Sequence, residues 1–399
     1  MKILAIANAF PKFKEDYSGN YIYKQLESLS LKGVEVEVIS PTIYVPSICS
    51  RISAKMERYA MVPDEIFEGN IHIFYPKITL YNQMYNIWIR FPHLFGEIYR
   101  KKVVSVVEKE IVNFKPDVIY ITGIFFEGTL GLKIKRTFGI PILFIENSIP
   151  RLNDALKHAP LKKIYTEIVE ESDAYICVSK KQKEILENEG IKTEKVYILP
   201  NGFQLKYPSV KRKNSDCFRI ITVGFLDDRK GYPNIFECIA YLKKKGYKIH
   251  YTIVGDGSKK TEYLKRVKEL DIEEICTFTG RISHEEVEVQ LLQSDLFVLP
   301  SQGESFGIAY LEAMACHVPV IMTEGEGISD FLENEKNCIM VTPENVKQLC
   351  YYMDKAYKDR EWLVEIAEQG CNKSKEFGCD KNVEGLLEII KNSCATEIR

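Results

Sequence analysis

A chain of 399 residues is too long for one ordinary hydrophobic core and points to two domains. With 45% hydrophobic and 28% charged residues, and with 23 Gly and 16 Pro scattered rather than periodic, it is not collagen-like, coiled-coil or wholly disordered. The 54 basic and 56 acidic side chains leave a formal charge of −2, which argues against a nucleic-acid binder, and no charge-free stretch reaches the ~18 residues of a membrane span.

The first segment, KILAIANAF, is apolar enough to suggest a signal peptide, but it is short and lacks a small-residue cleavage pattern; it reads as a strand. Further strand candidates follow in order: VEVEVIS, NIHIFYP, DVIYITG, PILFIEN, AYICVS and KVYILPNG. Amphipathic segments such as residues 21–31 and 99–114 lie between them. The polar stretch 207–216 (YPSVKRKNSD) lacks apolar periodicity and reads as a linker. The rhythm then restarts with FRIITVGF, KIHYTIVGDG, ICTFTGR, DLFVLPS, PVIMTEG and NCIMV. Alternating helices and apolar, β-branched strands predict an α/β chain of two doubly wound, Rossmann-like domains with a cleft between them. The eleven cysteines are scattered singly without a C-x-x-C pair or a zinc spacing, so they are expected to be reduced thiols in a cytoplasmic protein.

In such domains the working loops follow the carboxyl ends of strands, where helix N-termini face ligands. Four loops carry suitable residues. Residues 13–20 end in Ser18-Gly19-Asn20 before a helix, either a phosphate-approaching turn or a plain helix cap. Residues 223–231 (VGFLDDRKG) contain Gly224 and place Arg229 and Lys230 before a glycine, where they either neutralise a phosphate or form a solvated basic turn. The turn Val254-Gly255-Asp256-Gly257 lacks the third glycine of a dinucleotide fingerprint and reads as a tight strand–helix turn. The fourth loop, in LPSQGESFGIAYLEAMACHVPV, sets Glu304 and Glu312 eight positions apart, with seven residues between them, around a helix start at Ser305-Phe306-Gly307. That spacing turns a loop carboxylate and a helix carboxylate to the same side, with Ser305 expected to cap the helix. An ordinary surface role for Glu312 is the alternative, though Ala309, Leu311, Ala313 and Met314 around it are apolar.

The stretch ESFGIAYLE resembles the E-x7-E motif of family 4 retaining glycosyltransferases, group 1 glycosyl transferases of the GT-B fold. VGFL…RKG, VGDG, FTGRIS, LPNGF and SGNYIYKQLESLSLKGVEVEVISP resemble other motifs of that family, so the likeness spans nearly the whole chain. It implies an N-terminal acceptor-binding domain (residues 1–203), a nucleotide-sugar-binding domain (204–380), and a C-terminal helix and tail (381–399) crossing back to the first domain.

Carried over, the resemblance has Glu312 hold the ribose hydroxyls and Glu304 contact the donor sugar, aided by backbone N–H groups at Phe306 and Gly307. Lys230 neutralises the diphosphate, Arg281 and Ile282 line the base, and Gly19 with Asn20 closes over the diphosphate. Gly224, Arg229 and Ser305 complete the donor-binding set. The family uses neither a metal nor a further cofactor, the nucleoside diphosphate sugar being a co-substrate. Three departures stand out. Phe225 replaces an arginine, for which Arg229 in the same loop is the candidate substitute; Asn147 replaces a histidine and retains hydrogen bonding to a sugar hydroxyl; and His317 replaces a glycine.

Residues 87–102 (IWIRFPHLFGEIYRKK) set aromatics beside a basic run, pointing either to peripheral contact with the inner face of an anionic membrane or to a core helix with a solvated end. Residues 382–391 (NVEGLLEIIK) place Val383, Leu386, Leu387 and Ile390 on one helix face. The expected activity is a hexosyltransferase-type transfer from a UDP-sugar, before a GDP-sugar, to a glycan or lipid-linked acceptor in cell-surface polysaccharide synthesis. A non-catalytic GT-B subunit binding a sugar nucleotide or a partner transferase is the alternative reading. An epimerase on the same fold is opposed by the E-x7-E region.

Overall fold

The computed structural model describes residues 1–13, 16, 18–46, 48–78, 92–123, 126–204 and 216–394, with backbone alone for 92–102 and 126. Residues 207–215 of the expected linker at 207–216, and residues 87–91 with the side chains of 92–102 in the aromatic, basic segment, therefore lie outside the described residues; the backbone of 92–102 opens the helix Pro92–Phe114. The chain divides into two compact units, Met1–Gly202 with Cys379–Arg399, and Phe203–Gly378.

The first unit is built on β1 (Lys2–Ala7), β2 (Glu35–Ile39), β3 (Thr42–Ile43), β4 (Glu65–Glu68), β5 (Ile71–Phe74), β6 (Lys77–Ile78), β7 (Val118–Thr122), β8 (Ile142–Glu146), β9 (Ala174–Cys177) and β10 (Val196–Ile198). Eight form one sheet in the order β10-β9-β8-β7-β1-β2-β5-β4, while β3 pairs with β6. Pairing in the large sheet is parallel except at the β4 edge, which runs antiparallel to β5. The central strands are buried along their length, as continuous apolar runs such as ILAIA and VIYIT require.

The C-terminal helix, Cys379–Cys394, belongs to this unit and is longer than the apolar pattern indicated. Val383, Leu386, Ile389 and Ile390 are buried against Ile22, Leu26, Leu29 and Leu199, while Leu387 is half-buried at the margin. The buried face thus follows 383, 386 and 390 as expected, with Ile389 taking the place assigned to Leu387. Polar contacts fix the helix's start. Gln25 accepts from Tyr120 Oη (2.6 Å) and donates to Asn382 Oδ1 (2.6 Å), and Asn382 Nδ2 donates to the Pro200 carbonyl (2.6 Å). Burial of four such side chains contributes roughly 1.5–3 kcal/mol each, a large part of a domain's usual stability margin. A chain ending at Gly378 is therefore expected to lose the cooperative melting of the first unit. Melting at the full-length temperature would contradict this packing.

The second unit carries β11 (Phe218–Val223), β12 (Ile249–Val254), β13 (Cys276–Gly280), β14 (Leu296–Leu299), β15 (Val320–Thr323) and β16 (Ile339–Val341). They form a parallel sheet in the order β13-β12-β11-β14-β15-β16. The direction of winding reverses between β11 and β14, and loops following those strands are where open α/β sheets place ligands. The expectation of free thiols needs correction. Cys238 and Cys350 form a disulfide between the helices Tyr232–Lys244 and Val346–Lys358. Their 112-residue separation conceals the pairing in the sequence, because helix packing alone brings them together.

Candidate active site

At the β11/β14 reversal the loop after β11 meets the loop after β14. Gly231 starts the helix Tyr232–Lys244 in a left-handed conformation (φ 71°), and a Cβ there would come within 2.5 Å of the Pro300 carbonyl oxygen. Only glycine lets these backbones approach so closely. Gln302 N–H donates to the Arg229 carbonyl (2.7 Å), joining the loops again.

Lys230 Nζ donates to Glu304 Oε2 at 2.5 Å, with the two side chains only 17% and 14% exposed. The Glu304 backbone N–H donates to Glu326 Oε2 (3.0 Å), and Ser301 Oγ lies 3.4 Å from Glu304 Oε2. Ser301 in turn contacts Tyr310 Oη (2.9 Å), which donates to the Leu299 carbonyl (2.7 Å). The carboxylate is thus held on a buried, hydrogen-bonded platform, with one cation beside it. Pairing is what makes a largely buried charge tolerable.

The following helix is Ile308–Ala315, and its N-cap is Gly307 (φ 90°) with no side-chain cap. Ser305 therefore stands two residues before the cap and does not serve as one, because the turn through Phe306 and Gly307 delays the helix start. Phe306 is buried, and its carbonyl accepts from Ile328 N–H (2.8 Å). Glu312 lies on this helix, mostly buried, with His284 Nδ1 3.7 Å from its Oε1. Burial pushes the Glu312 carboxyl above the usual carboxylate range, and the nearby His284 opposes that shift. An open pocket of about 330 Å³ adjoins it, lined in part by Phe203, Gln204, His284, Val287 and Glu288. Arg281 is exposed and Ile282 half-buried, just before the Ser283–Glu286 capping box that starts the helix His284–Leu292.

Gly224 accepts a hydrogen bond at its carbonyl from Tyr232 Oη (3.1 Å), and Phe225 beside it is exposed. Arg229 is held by its neighbour Asp227 at 2.7 Å. His317 has φ 55° at the end of the helix Ile308–Ala315, a left-handed conformation that favours glycine; its Nε2 lies 3.3 Å from Cys371 Sγ.

The remaining predicted residues are in the first unit. Gly19 precedes the helix Asn20–Leu31 in a left-handed conformation (φ 69°), and a Cβ there would lie 1.9 Å from the Ala9 carbonyl oxygen. Asn20 is exposed at the first helical position. The loop before them is braced by buried Lys12, which donates to the carbonyls of Asn8 (3.1 Å) and Phe10 (3.0 Å) and to Ser40 Oγ. Burial pushes its ammonium down to about 7, against the opposing charges of Asp16 and Glu127. Asn147 Nδ2 donates to Thr122 Oγ1 (3.2 Å), while its Oδ1 is buried and has no hydrogen-bond partner among the described residues.

Glu146, next to Asn147, is buried and accepts from Tyr165 Oη (2.5 Å) and Ser148 N–H (2.6 Å). Burial raises its carboxyl from 4.5 to about 7, opposed by those hydrogen bonds and by Arg151. Between those two values the folded state holds a proton that the unfolded chain releases, so this group's contribution to stability falls as pH rises through the window. Glu146→Gln removes the cost of ionisation and is expected to stabilise the protein by on the order of 3 kcal/mol above neutrality, with little effect near the lower limit. Denaturant unfolding at both limits measures this; a gain independent of pH would contradict it.

Sequence reasoning did not single out His284, Glu326, Ser301, Tyr310 or Lys12. Glu326 follows the strand-like PVIMTEG and His284 follows FTGRIS, so both lay where strand-end loops are expected. Among the described residues no group of three or more His, Cys, Asp or Glu converges, and no helix is long and apolar enough to cross a membrane.

The two parallel α/β units, with the paired cation and carboxylate at the sheet reversal of the second, define a GT-B architecture. The family model described as glycosyl transferases group 1 matches residues 204–373, and that of glycosyltransferase family 4 matches residues 18–207. The chain belongs to this family. Among its relatives, the phosphatidylinositol N-acetylglucosaminyltransferase GPI3 subunit of Saccharomyces cerevisiae is 26% identical over 51% of this chain and 47% of its own length. An uncharacterized glycosyltransferase of Methanocaldococcus jannaschii is 26% identical over 89% of this chain and 98% of its own. The match therefore spans about half the length of the yeast subunit but nearly all of the archaeal protein. Sucrose-phosphate synthase from Thermosynechococcus elongatus shares the fold with a TM-score of 0.79 and 17% identity over 99% of this chain and 100% of its own. Anabaena HepE, in complex with UDP-glucose, shares it with a TM-score of 0.70 and 16% identity over 98% of this chain and 100% of its own.

Proposed function

We propose that this chain is a retaining, metal-independent glycosyltransferase that moves a sugar from a nucleoside diphosphate donor to a glycan or lipid-linked acceptor in cell-surface polysaccharide synthesis, at the cytoplasmic side of the membrane. The observation that carries the reading is the largely buried Lys230–Glu304 pair at the β11/β14 reversal. UDP-sugar is favoured as donor, in keeping with the UDP-glucose bound by HepE. The yeast relative's name, an N-acetylglucosaminyltransferase acting on phosphatidylinositol, is in keeping with a lipid-linked acceptor.

In this reading Lys230 leaves Glu304 for the diphosphate and neutralises the charge that develops as the anomeric bond breaks, while Glu304 turns to the sugar. The N–H groups of Phe306 and Gly307 face the donor. Glu312 accepts both ribose hydroxyls, Arg281 and Ile282 border the base, and Asn147 offers its amide to a sugar hydroxyl. Gly224, Arg229 and Ser305 shape the donor loops, as Gly19 and Asn20 do in the first unit. Because ribose is common to UDP and UDP-sugar, Glu312→Ala is expected to weaken both equally, by about 10- to 100-fold for a lost charged hydrogen bond. Calorimetric titration measures this; unchanged UDP affinity would remove the ribose assignment.

A further inference from the structure

The Glu312 side chain is 23% exposed, and Leu311, Ala313 and Met314 around it are buried. Among the described residues no donor hydrogen-bonds to its carboxylate oxygens. A mostly buried carboxylate in that state is costly unless a ligand supplies donors or a nearby cation compensates its charge. Glu304 is compensated by direct contact, since Lys230 donates to one of its oxygens. Glu312 has His284 instead, whose Nδ1 stands 3.7 Å from Oε1. That is beyond hydrogen-bond reach, yet close enough for charge to act.

At such a distance an imidazolium favours the charged carboxylate and leaves both oxygens open to a ligand. The charge state matters, because an ionised carboxylate accepts from two hydroxyls, whereas a protonated one turns an oxygen into a donor. Burial pushes the Glu312 carboxyl up and His284 draws it down. The local sequence fixes the imidazole. Ser283 and Glu286 form a reciprocal capping box, which sets His284 at the first position of its helix. The other titratable side chains lining the adjoining pocket are Glu288, one turn along that helix, and Cys316, just past the helix of Glu312. Arg281 is exposed three residues before His284.

We propose that His284 is a positioning residue for the donor nucleotide, whose positive charge keeps Glu312 ionised so that both ribose hydroxyls are held. The inference rests on the ribose assignment proposed above and extends it to a residue that acts through Glu312. Its consequence is that nucleotide affinity withstands acid because His284 is present.

The test is calorimetric titration of the full chain with UDP and with 2′,3′-dideoxy-UDP, from about pH 5 to about pH 8. Wild type is compared with His284→Gln, His284→Lys and Glu312→Gln, each checked for unchanged melting. Titration of the nucleotide's own phosphate is common to all four proteins and cancels in their ratios. His284→Gln should match wild type at the alkaline limit and bind UDP about tenfold more weakly at the acid limit, its profile displaced upward by about one pH unit. His284→Lys keeps the charge and should restore affinity at the acid limit. Dideoxy-UDP lacks the hydroxyls and should show no displacement. Where Glu312→Gln weakens UDP, superimposable profiles for wild type and His284→Gln, or an equal displacement with dideoxy-UDP, would overturn the role of His284 alone. If Glu312→Gln leaves UDP affinity unchanged, the ribose assignment falls and this inference with it; if wild type binds no UDP, both fall together with the UDP reading.

Discussion

Glu304→Ala is expected to lower turnover by a factor on the order of 10² to 10³ while leaving UDP affinity intact or improved, since an electrostatic partner of the developing charge is lost but no contact to the nucleotide is. The structure supplies the reason for the second half. Lys230 Nζ lies 2.5 Å from Glu304 Oε2 and must leave it to meet a diphosphate. Removing the carboxylate abolishes that competition. Glu304→Gln is a more conservative variant, keeping the side chain's size while losing its charge, and should behave similarly. Calorimetry with UDP alongside single-turnover kinetics separates the two effects. Parallel losses of UDP affinity and turnover would mean that Glu304 touches the nucleotide rather than the sugar.

Lys230→Ala has the opposite signature. It strands the Glu304 carboxylate at 14% exposure without its cation, and breaking such a pair costs about 3–5 kcal/mol. Nucleotide binding should disappear along with that stability. The double variant Lys230→Ala, Glu304→Ala removes both charges and should recover most of the stability while remaining unable to bind diphosphate. Denaturant unfolding of the two single variants and the double variant gives the coupling directly. Simple additivity would show that the pair is a solvated contact and not the centre of the site.

Much of this was legible in the sequence because parallel strands buried on both faces must be continuous apolar runs. ILAIA, VIYIT, IITV and LFVL each became a central strand. The edge strand EIFE escaped notice because it is antiparallel and mostly exposed, so little apolar patterning was demanded of it. The carboxylate at 304 and the lysine at 230 were visible as loop residues at strand ends. Their pairing was not, since it depends on strand order, which places β14 beside β11 across more than seventy residues. The same holds for Cys238 and Cys350. Ser305 looked like a helix cap because serine favours that position, yet the tight turn at Gly307 took the role. Local propensity is overruled where a loop must wrap a carboxylate.

The central claim, a retaining transferase using a nucleoside diphosphate sugar, is tested most directly by presenting the purified chain with a panel of UDP- and GDP-sugars and candidate glycan and lipid-linked acceptors. Nucleoside diphosphate release is followed, and the anomeric configuration of the product is read by NMR. The account predicts release with at least one donor, dependent on acceptor and on Glu304, and a product with the donor's own anomeric configuration. Binding of a sugar nucleotide without turnover across the panel, or a product of inverted configuration, would contradict it.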